Sequence, residues 1–324
     1  MLLEVKDLVV DLPTSGGAVR IVNDATFRLG EGESLGVVGE SGSGKTMMAL
    51  ALMGLAPEGA RIGGSIRFED RELVGLSEEA MRALRGDRIA MIFQEPMTAL
   101  NPLHRVGEQV AEPLVLHRGM SRKAAFHEAI RLLEHVRLAD PARAARAYPF
   151  GLSGGERQRA MIAMAIGCGP RLVIADEPTT ALDVTVQARI LALLDGLRHE
   201  SKMALILVSH DLAVVAAHCD RVIVMYGGLI MESGPVDVVL RDPRNPYTRA
   251  LLQARPEPGA KRGVRLKTIP GSPPHHREVG AGCPFAARCE WTIDVCRKAR
   301  PPEVAFGGVH VSRCWRAAEL GPHA

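Results

Sequence analysis

Aromatic residues are scarce in this sequence of 324 residues: seven Phe, three Tyr and two Trp make up 4% of it. So thin a supply argues against the stacked-base platforms by which proteins hold single-stranded nucleic acid. Long apolar runs are missing too. The nearest to one, residues 160–175, is broken by Pro170 and Arg171, short of the roughly 18 residues that a membrane-spanning helix needs. The first ten residues, MLLEVKDLVV, carry early acids and no small-residue cleavage site, unlike a secretory leader. These absences give the expectation of a cytoplasmic protein, where structural disulfides are rare. A strong net charge is absent as well, at +3, which gives no argument for nucleic acid as a partner. The charge is uneven, however. Residues 235–324 hold 15 Lys and Arg against 8 Asp and Glu, and the first 234 residues hold 25 against 29. A mildly acidic body therefore carries a basic tail, either a solvated extension or a segment lying near an anion.

What is present is an ordinary globular composition, 47% apolar and 24% charged, enough for one large domain or two modest ones. Residues 2–12 and 19–29 read as strands around the turn Thr14-Ser15-Gly16-Gly17. A buried strand at 35–38 leads into a helix at 47–55. Helical periodicity covers 78–88 and 106–138, with Ser121 as a capping residue, and a further helix is expected at 184–200. Apolar strands at 172–175 and 204–208 alternate with helices, which predicts an α/β domain with a largely parallel sheet. Beyond Arg241 prolines and glycines become frequent, so a separate, irregular appendix is expected there.

The strongest signal is Gly39-Glu40-Ser41-Gly42-Ser43-Gly44-Lys45-Thr46, between that strand and that helix. The spacing is that of a phosphate-binding loop. Glycines let the backbone wrap a phosphate closely, and the helix offers its positive end to the same anion. Lys45 is placed to reach the β- and γ-phosphates of ATP, and the Thr46 hydroxyl to ligate Mg²⁺. Residues 171–175 form an apolar strand that ends in Asp176 and Glu177. Asp176 suits a Mg²⁺ held through water, and Glu177 suits polarisation of the attacking water.

Three more pieces follow the same logic. Leu152-Ser153-Gly154-Gly155-Glu156 opens a helix with a second anion-binding end. One site needs one γ-phosphate cradle, so the second invites a partner's nucleotide. Gln94 and His210 each stand at the end of an apolar strand. With the segment Ala181-Leu182-Asp183, these motifs come in an order that resembles the nucleotide-binding subunits of ABC transporters. That resemblance implies a P-loop (RecA-like) core with an antiparallel β subdomain, a helical subdomain at about 95–165 and an ABC nucleotide-binding domain over 1–240. It also implies a head-to-tail ATPase dimer. In it Ser153, Gly154 and Gly155 would contact the γ-phosphate bound by the partner, Gln94 would sense Mg²⁺ and a membrane subunit, and His210 would contact γ-phosphate. Two departures stand out. Many members stack adenine on an aromatic residue near Val10-Asp11-Leu12-Pro13, which has none here, so Leu12 is expected against the base. Glu156 replaces the commoner glutamine.

Outside the shared motifs, residues 93–102, Asn245-Pro246-Tyr247-Thr248-Arg249, Ile269-Pro270-Gly271, Gly282-Cys283-Pro284-Phe285 and Arg288-Cys289 resemble the ATPase subunits of dipeptide/oligopeptide importers. The implied partners are two transmembrane permease subunits, a second ATPase subunit and an extracytoplasmic solute-binding protein, with this chain at the cytoplasmic face of the membrane. Nickel, glycosides or another small solute are alternative cargoes, and a soluble ABC ATPase acting on DNA or ribosomes is a remote alternative. In the appendix, 241–324, Cys283, Cys289, Cys296 and Cys314 crowd a core-poor segment that calls for a staple. Zinc, an iron–sulfur cluster and free thiols all remain open on the spacing, which lacks tight Cys-x2–4-Cys pairs. The family resemblance favours a [4Fe-4S] cluster. His310 is a further candidate ligand, and Cys168 and Cys219 read as core thiols.

Overall fold

The computed structural model describes residues 1–180, 182–254 and 268–321. They form two compact units that the chain enters more than once: residues 1–2, 29–34 and 69–208 in the first, and 3–28, 35–68 and 209 onward in the second.

The first unit carries the parallel strands Ile89–Ile92, Leu172–Asp176 and Ala204–Ser209, in that spatial order. All three are buried from end to end. Strands covered on both faces need the continuous apolar run seen here rather than alternation. Helices Val106–Arg118, Arg122–His135, Pro141–Arg146 and Gly154–Ile166 pack against one another in the same unit. Their starts are written in the sequence. Ser121 and Asp140 accept hydrogen bonds from the N–H groups of Ala124 and Arg143, and Pro141 fills a first-turn position where no N–H is needed. Helix Val184–Ser201 is capped likewise by Asp183. The preceding Ala181, part of the segment singled out above, lies outside the described residues. Among the described residues no helix is long and apolar enough to cross a membrane.

The second unit holds two sheets. In one, Leu3–Thr14 pairs antiparallel with Arg61–Phe68 and neighbours Gly17–Leu29. In the other, Ser34–Val38 runs parallel to Arg221–Tyr226, which pairs antiparallel with Leu229–Pro235. The appendix, expected to be irregular, adds a hairpin to this sheet. Glu303–Phe306 pairs with His310–Arg313, and the latter extends Leu229–Pro235 through Glu232 opposite Ser312. Asn245, 1% exposed, fastens the junction by donating to the carbonyls of Met231 and Arg313, both at 3.0 Å. Beside it Tyr226, Tyr247 and Phe285 pack ring against ring, with centroids 4.6–5.2 Å apart. Burial of such rings contributes about 1.5–3 kcal/mol each. Three of the chain's twelve aromatics thus meet where the appendix joins the body of this unit.

Candidate nucleotide site and four-cysteine site

The phosphate loop belongs to the second unit. Its strand, Ser34–Val38, is wholly buried, so the loop starts from a fixed point. Gly39 passes so close to the next strand that a Cβ there would stand 2.2 Å from the Met225 carbonyl oxygen. Gly44 takes a left-handed φ of 100° as N-cap of helix Lys45–Leu52, a conformation other residues resist. It also brings no side chain to the helix N-terminus, which keeps that end clear for an anion. Lys45 is 5% exposed, and its Nζ donates to the carbonyls of Gly39 at 2.8 Å and Glu40 at 3.0 Å. The lysine therefore braces the loop from within. Gly39→Ala is expected to lower stability by about 1–3 kcal/mol, read as a shift in the denaturant midpoint, because a backbone carbonyl cannot give way as a side chain can. Ser41, Gly42 and Thr46 are exposed and Ser43 is buried. His210 follows strand Ala204–Ser209 and is exposed. Asp211 then caps the helix Leu212–His218.

Within the first unit the structure joins two residues that the sequence separates widely. Gln94 Nε2 donates to Glu177 Oε2 at 3.2 Å, and Thr180 Oγ1 donates to the same oxygen at 2.9 Å. Glu177 has a φ of 45°, left-handed for a residue with a side chain. Such strain costs on the order of 1–3 kcal/mol and collects at functional positions. The turn follows the last residue of the strand, Asp176, which is 3% exposed. Glu177 N–H still donates to the Val208 carbonyl at 3.0 Å, so the neighbouring strand fixes its backbone.

Ser153 caps helix Gly154–Ile166 and forms a closed box with Glu156. Glu156 Oε2 accepts from both the N–H and the hydroxyl of Ser153 at 2.8 Å, and Arg143 pairs with the other oxygen at 2.8 Å. The Ser153 backbone bond first, then its hydroxyl and Arg143, hold this carboxyl below the usual carboxylate range. Glutamate is thus fully employed where glutamine is commoner. Added Cβ atoms at Gly154 and Gly155 would meet Leu182 at 3.4 Å and Val186 at 3.0 Å. Ser153 and Gly154 are exposed. Leu12, expected against a base, lies half-buried on Leu3–Thr14.

The four appendix thiols line one cavity of about 20 Å³, flanked by Trp291 and Trp315. All four are free. Burial pushes Cys283 up to about 12 and Cys314 up to about 11, and raises Cys289 as well. Against that burial, each of the three accepts a backbone N–H two residues ahead, from Phe285, Trp291 and Arg316. Donors aimed at sulfur favour the thiolate, the form that binds metal. As they stand, no three Cys, His, Asp or Glu among the described residues converge closely enough to hold a metal ion. His310 is not among the residues lining the cavity. Its Nε2 lies 2.7 Å from Glu232 Oε1, both side chains at most 2% exposed, so the ring is committed elsewhere. Cys168 is buried and Cys219 half-buried.

Sequence reasoning passed over one cluster. Arg288 forms a two-pronged pair with Glu40 of the phosphate loop, at 2.7 and 3.0 Å, and Tyr247 OH accepts from the Glu40 N–H at 2.9 Å. The residue types were visible, but no local spacing links positions 248 apart in sequence.

Comparison with known proteins agrees with these features. Residues 22–180 match the ABC transporter family, and residues 231–296 match the oligopeptide/dipeptide transporter C-terminal region. The chain is 49% identical to the oligopeptide transport ATP-binding protein OppD of Salmonella typhimurium, over 98% of this chain and 95% of that one. It is also 49% identical to OppD of Escherichia coli, over 98% and 94%. Among solved structures it is similar to the ATP-binding cassette MJ0796, in a dimeric post-hydrolysis state bound to ADP and Pi. There the TM-score is 0.66 at 27% identity, covering 72% of this chain and 99% of that one. The chain belongs to the ABC transporter family, as an ATP-hydrolysing subunit of its oligopeptide/dipeptide branch.

Proposed function

We propose that this chain energises the uptake of oligopeptides or dipeptides across the cytoplasmic membrane. The observation that carries this reading is the near full-length likeness to oligopeptide transport ATP-binding proteins, tail included. Residues 1–240 act as the nucleotide-binding domain and 241–324 as the appendix. The chain sits at the cytoplasmic face of the membrane on two permease subunits, pairs with a second ATPase subunit and receives cargo from an extracytoplasmic solute-binding protein.

In this reading Gly39, Glu40, Ser41, Gly42, Ser43 and Gly44 surround the phosphates with backbone N–H groups. Lys45 exchanges its loop carbonyls for β- and γ-phosphate oxygens. The residue types fit Mg²⁺: a hydroxyl at a helix N-terminus, Thr46, a buried carboxylate at a strand end, Asp176, and the amide of Gln94. Bound Mg²⁺ neutralises charge that develops on the phosphates. Glu177 polarises the attacking water, oriented by Gln94 and Thr180. His210 contacts the γ-phosphate, and Leu12 packs on the base. Ser153, Gly154 and Gly155 face the nucleotide held by the second subunit. Closure of the dimer on ATP moves the permeases, and hydrolysis releases it. Affinity purification from native membranes in mild detergent tests this assembly. Two multi-span proteins, a second ATPase and a solute-binding protein are expected. Retention of ribosomal proteins or DNA without membrane subunits would refute it.

Cys283, Cys289, Cys296 and Cys314 are proposed to hold a [4Fe-4S] cluster that staples the appendix. The thiol set and its N–H donors support thiolate ligation. A second reading is a single zinc ion, for which the four thiols would have to draw closer together than they stand. Protein purified without oxygen is expected to be brown and to carry iron and sulfide, and Cys289→Ser to bleach it. Colourless protein with one zinc per chain would replace the cluster by zinc, and metal-free protein would refute both.

A further inference from the structure

The appendix reaches the phosphate loop itself. Arg288 lies in the segment between Cys283 and Cys289, and its terminal nitrogens donate to both carboxylate oxygens of Glu40. The two side chains are 6% and 24% exposed. The guanidinium is anchored from behind: Nε donates to the Pro270 carbonyl at 2.7 Å, and a terminal nitrogen donates to Tyr226 OH at 3.0 Å. Glu40 is fixed along its backbone as well, by Tyr247 at its N–H and by Lys45 at its carbonyl. Burial works against the charge on Arg288, yet the bonds to Glu40 and Tyr226 outweigh it and raise the guanidinium pKa above its ordinary value.

A carboxylate is the wrong sign in a loop that receives a polyphosphate. Unneutralised, it would repel each incoming phosphate charge in surroundings that screen poorly. We infer that Arg288 is a positioning residue for nucleotide: it cancels and immobilises the Glu40 carboxylate, so the appendix sets how well the phosphate loop accepts ATP. The inference rests on the reading that residues 39–46 bind the phosphates of ATP.

It differs from a merely structural tie in one respect. Removing one partner of a half-buried ion pair leaves the other charge uncompensated, whereas removing both is closer to neutral. The test is equilibrium binding of ATP to the full chain. Arg288→Gln is expected to weaken ATP about tenfold, and adding Glu40→Gln to the same chain is expected to restore most of that affinity. If Arg288 only anchors the tail, the second substitution restores nothing, and that result would overturn the inference, as would unchanged affinity in Arg288→Gln. Should Arg288→Gln fail to fold, Arg288→Lys decides, because it keeps the charge and loses the fork. A loss of no more than about threefold, removed by Glu40→Gln, supports the assignment, and a larger loss that Glu40→Gln leaves in place refutes it. Failure of the unaltered chain to bind ATP at all would instead overturn the nucleotide reading, and this inference with it.

Discussion

Glu177→Gln is expected to slow ATP turnover by roughly two to four orders of magnitude while ATP binding persists, which is the range that a positioned general base contributes. The substitution keeps the shape of the side chain and its place at the strained turn, with its φ of 45°. Gln94 Nε2 and Thr180 Oγ1, at 3.2 and 2.9 Å, would then face an amide instead of a carboxylate. An amide oxygen has two lone pairs and still accepts both bonds, so the fold should survive. What disappears is the negative charge that draws a proton from water. Steady-state phosphate release and equilibrium nucleotide binding, measured side by side, separate the two effects. Equal losses in both would mean that Glu177 shapes the site rather than acting on water. Unchanged turnover would remove it from the mechanism.

Lys45→Ala is expected to cost about a hundredfold or more in ATP affinity, with hydrolysis falling below detection, as for loss of a preorganised charge facing a developing anion. Two consequences add together. The phosphates lose a cation, and the carbonyls of Gly39 and Glu40 lose the donor that holds them at 2.8 and 3.0 Å. Lys45→Arg separates these contributions. It keeps the charge but brings a planar fork that the loop has no room to rotate, since the site is 5% exposed. Partial return of binding without hydrolysis is the expected result, read by isothermal titration and phosphate release.

The phosphate loop was legible in the sequence because its spacing is set by the size of a phosphate, and local geometry leaves few other solutions. The buried strand before Asp176 was legible for a similar reason, an unbroken apolar run. Other features were not. Strand Arg61–Phe68 contains Gly63 and Gly64, which break the alternating pattern. Gly64 takes a φ of 86°, where a Cβ would lie 2.3 Å from the Asp7 carbonyl oxygen. That glycine serves a bulge opposite residues 6–9 rather than a turn. The hairpin from Glu303 to Arg313 hid behind prolines and the Gly307-Gly308 turn. Its two strands have four residues each, too few to show a period. The contact between Gln94 and Glu177 spans 83 positions, and tertiary structure alone brings such residues together. Glu156 illustrates the opposite case. A departure from the family's commoner residue became intelligible once its two bonds to Ser153 and its pair with Arg143 were seen.

The most direct measurement is uptake of a labelled oligopeptide into sealed vesicles containing the purified transporter, with the solute-binding protein on the outer face and ATP within. Uptake that needs ATP, and that stops when this chain carries Glu177→Gln, is the expected result. Undiminished uptake with the substituted chain, or ATP hydrolysis that never moves peptide, would contradict the assignment of this chain as the motor of a peptide importer.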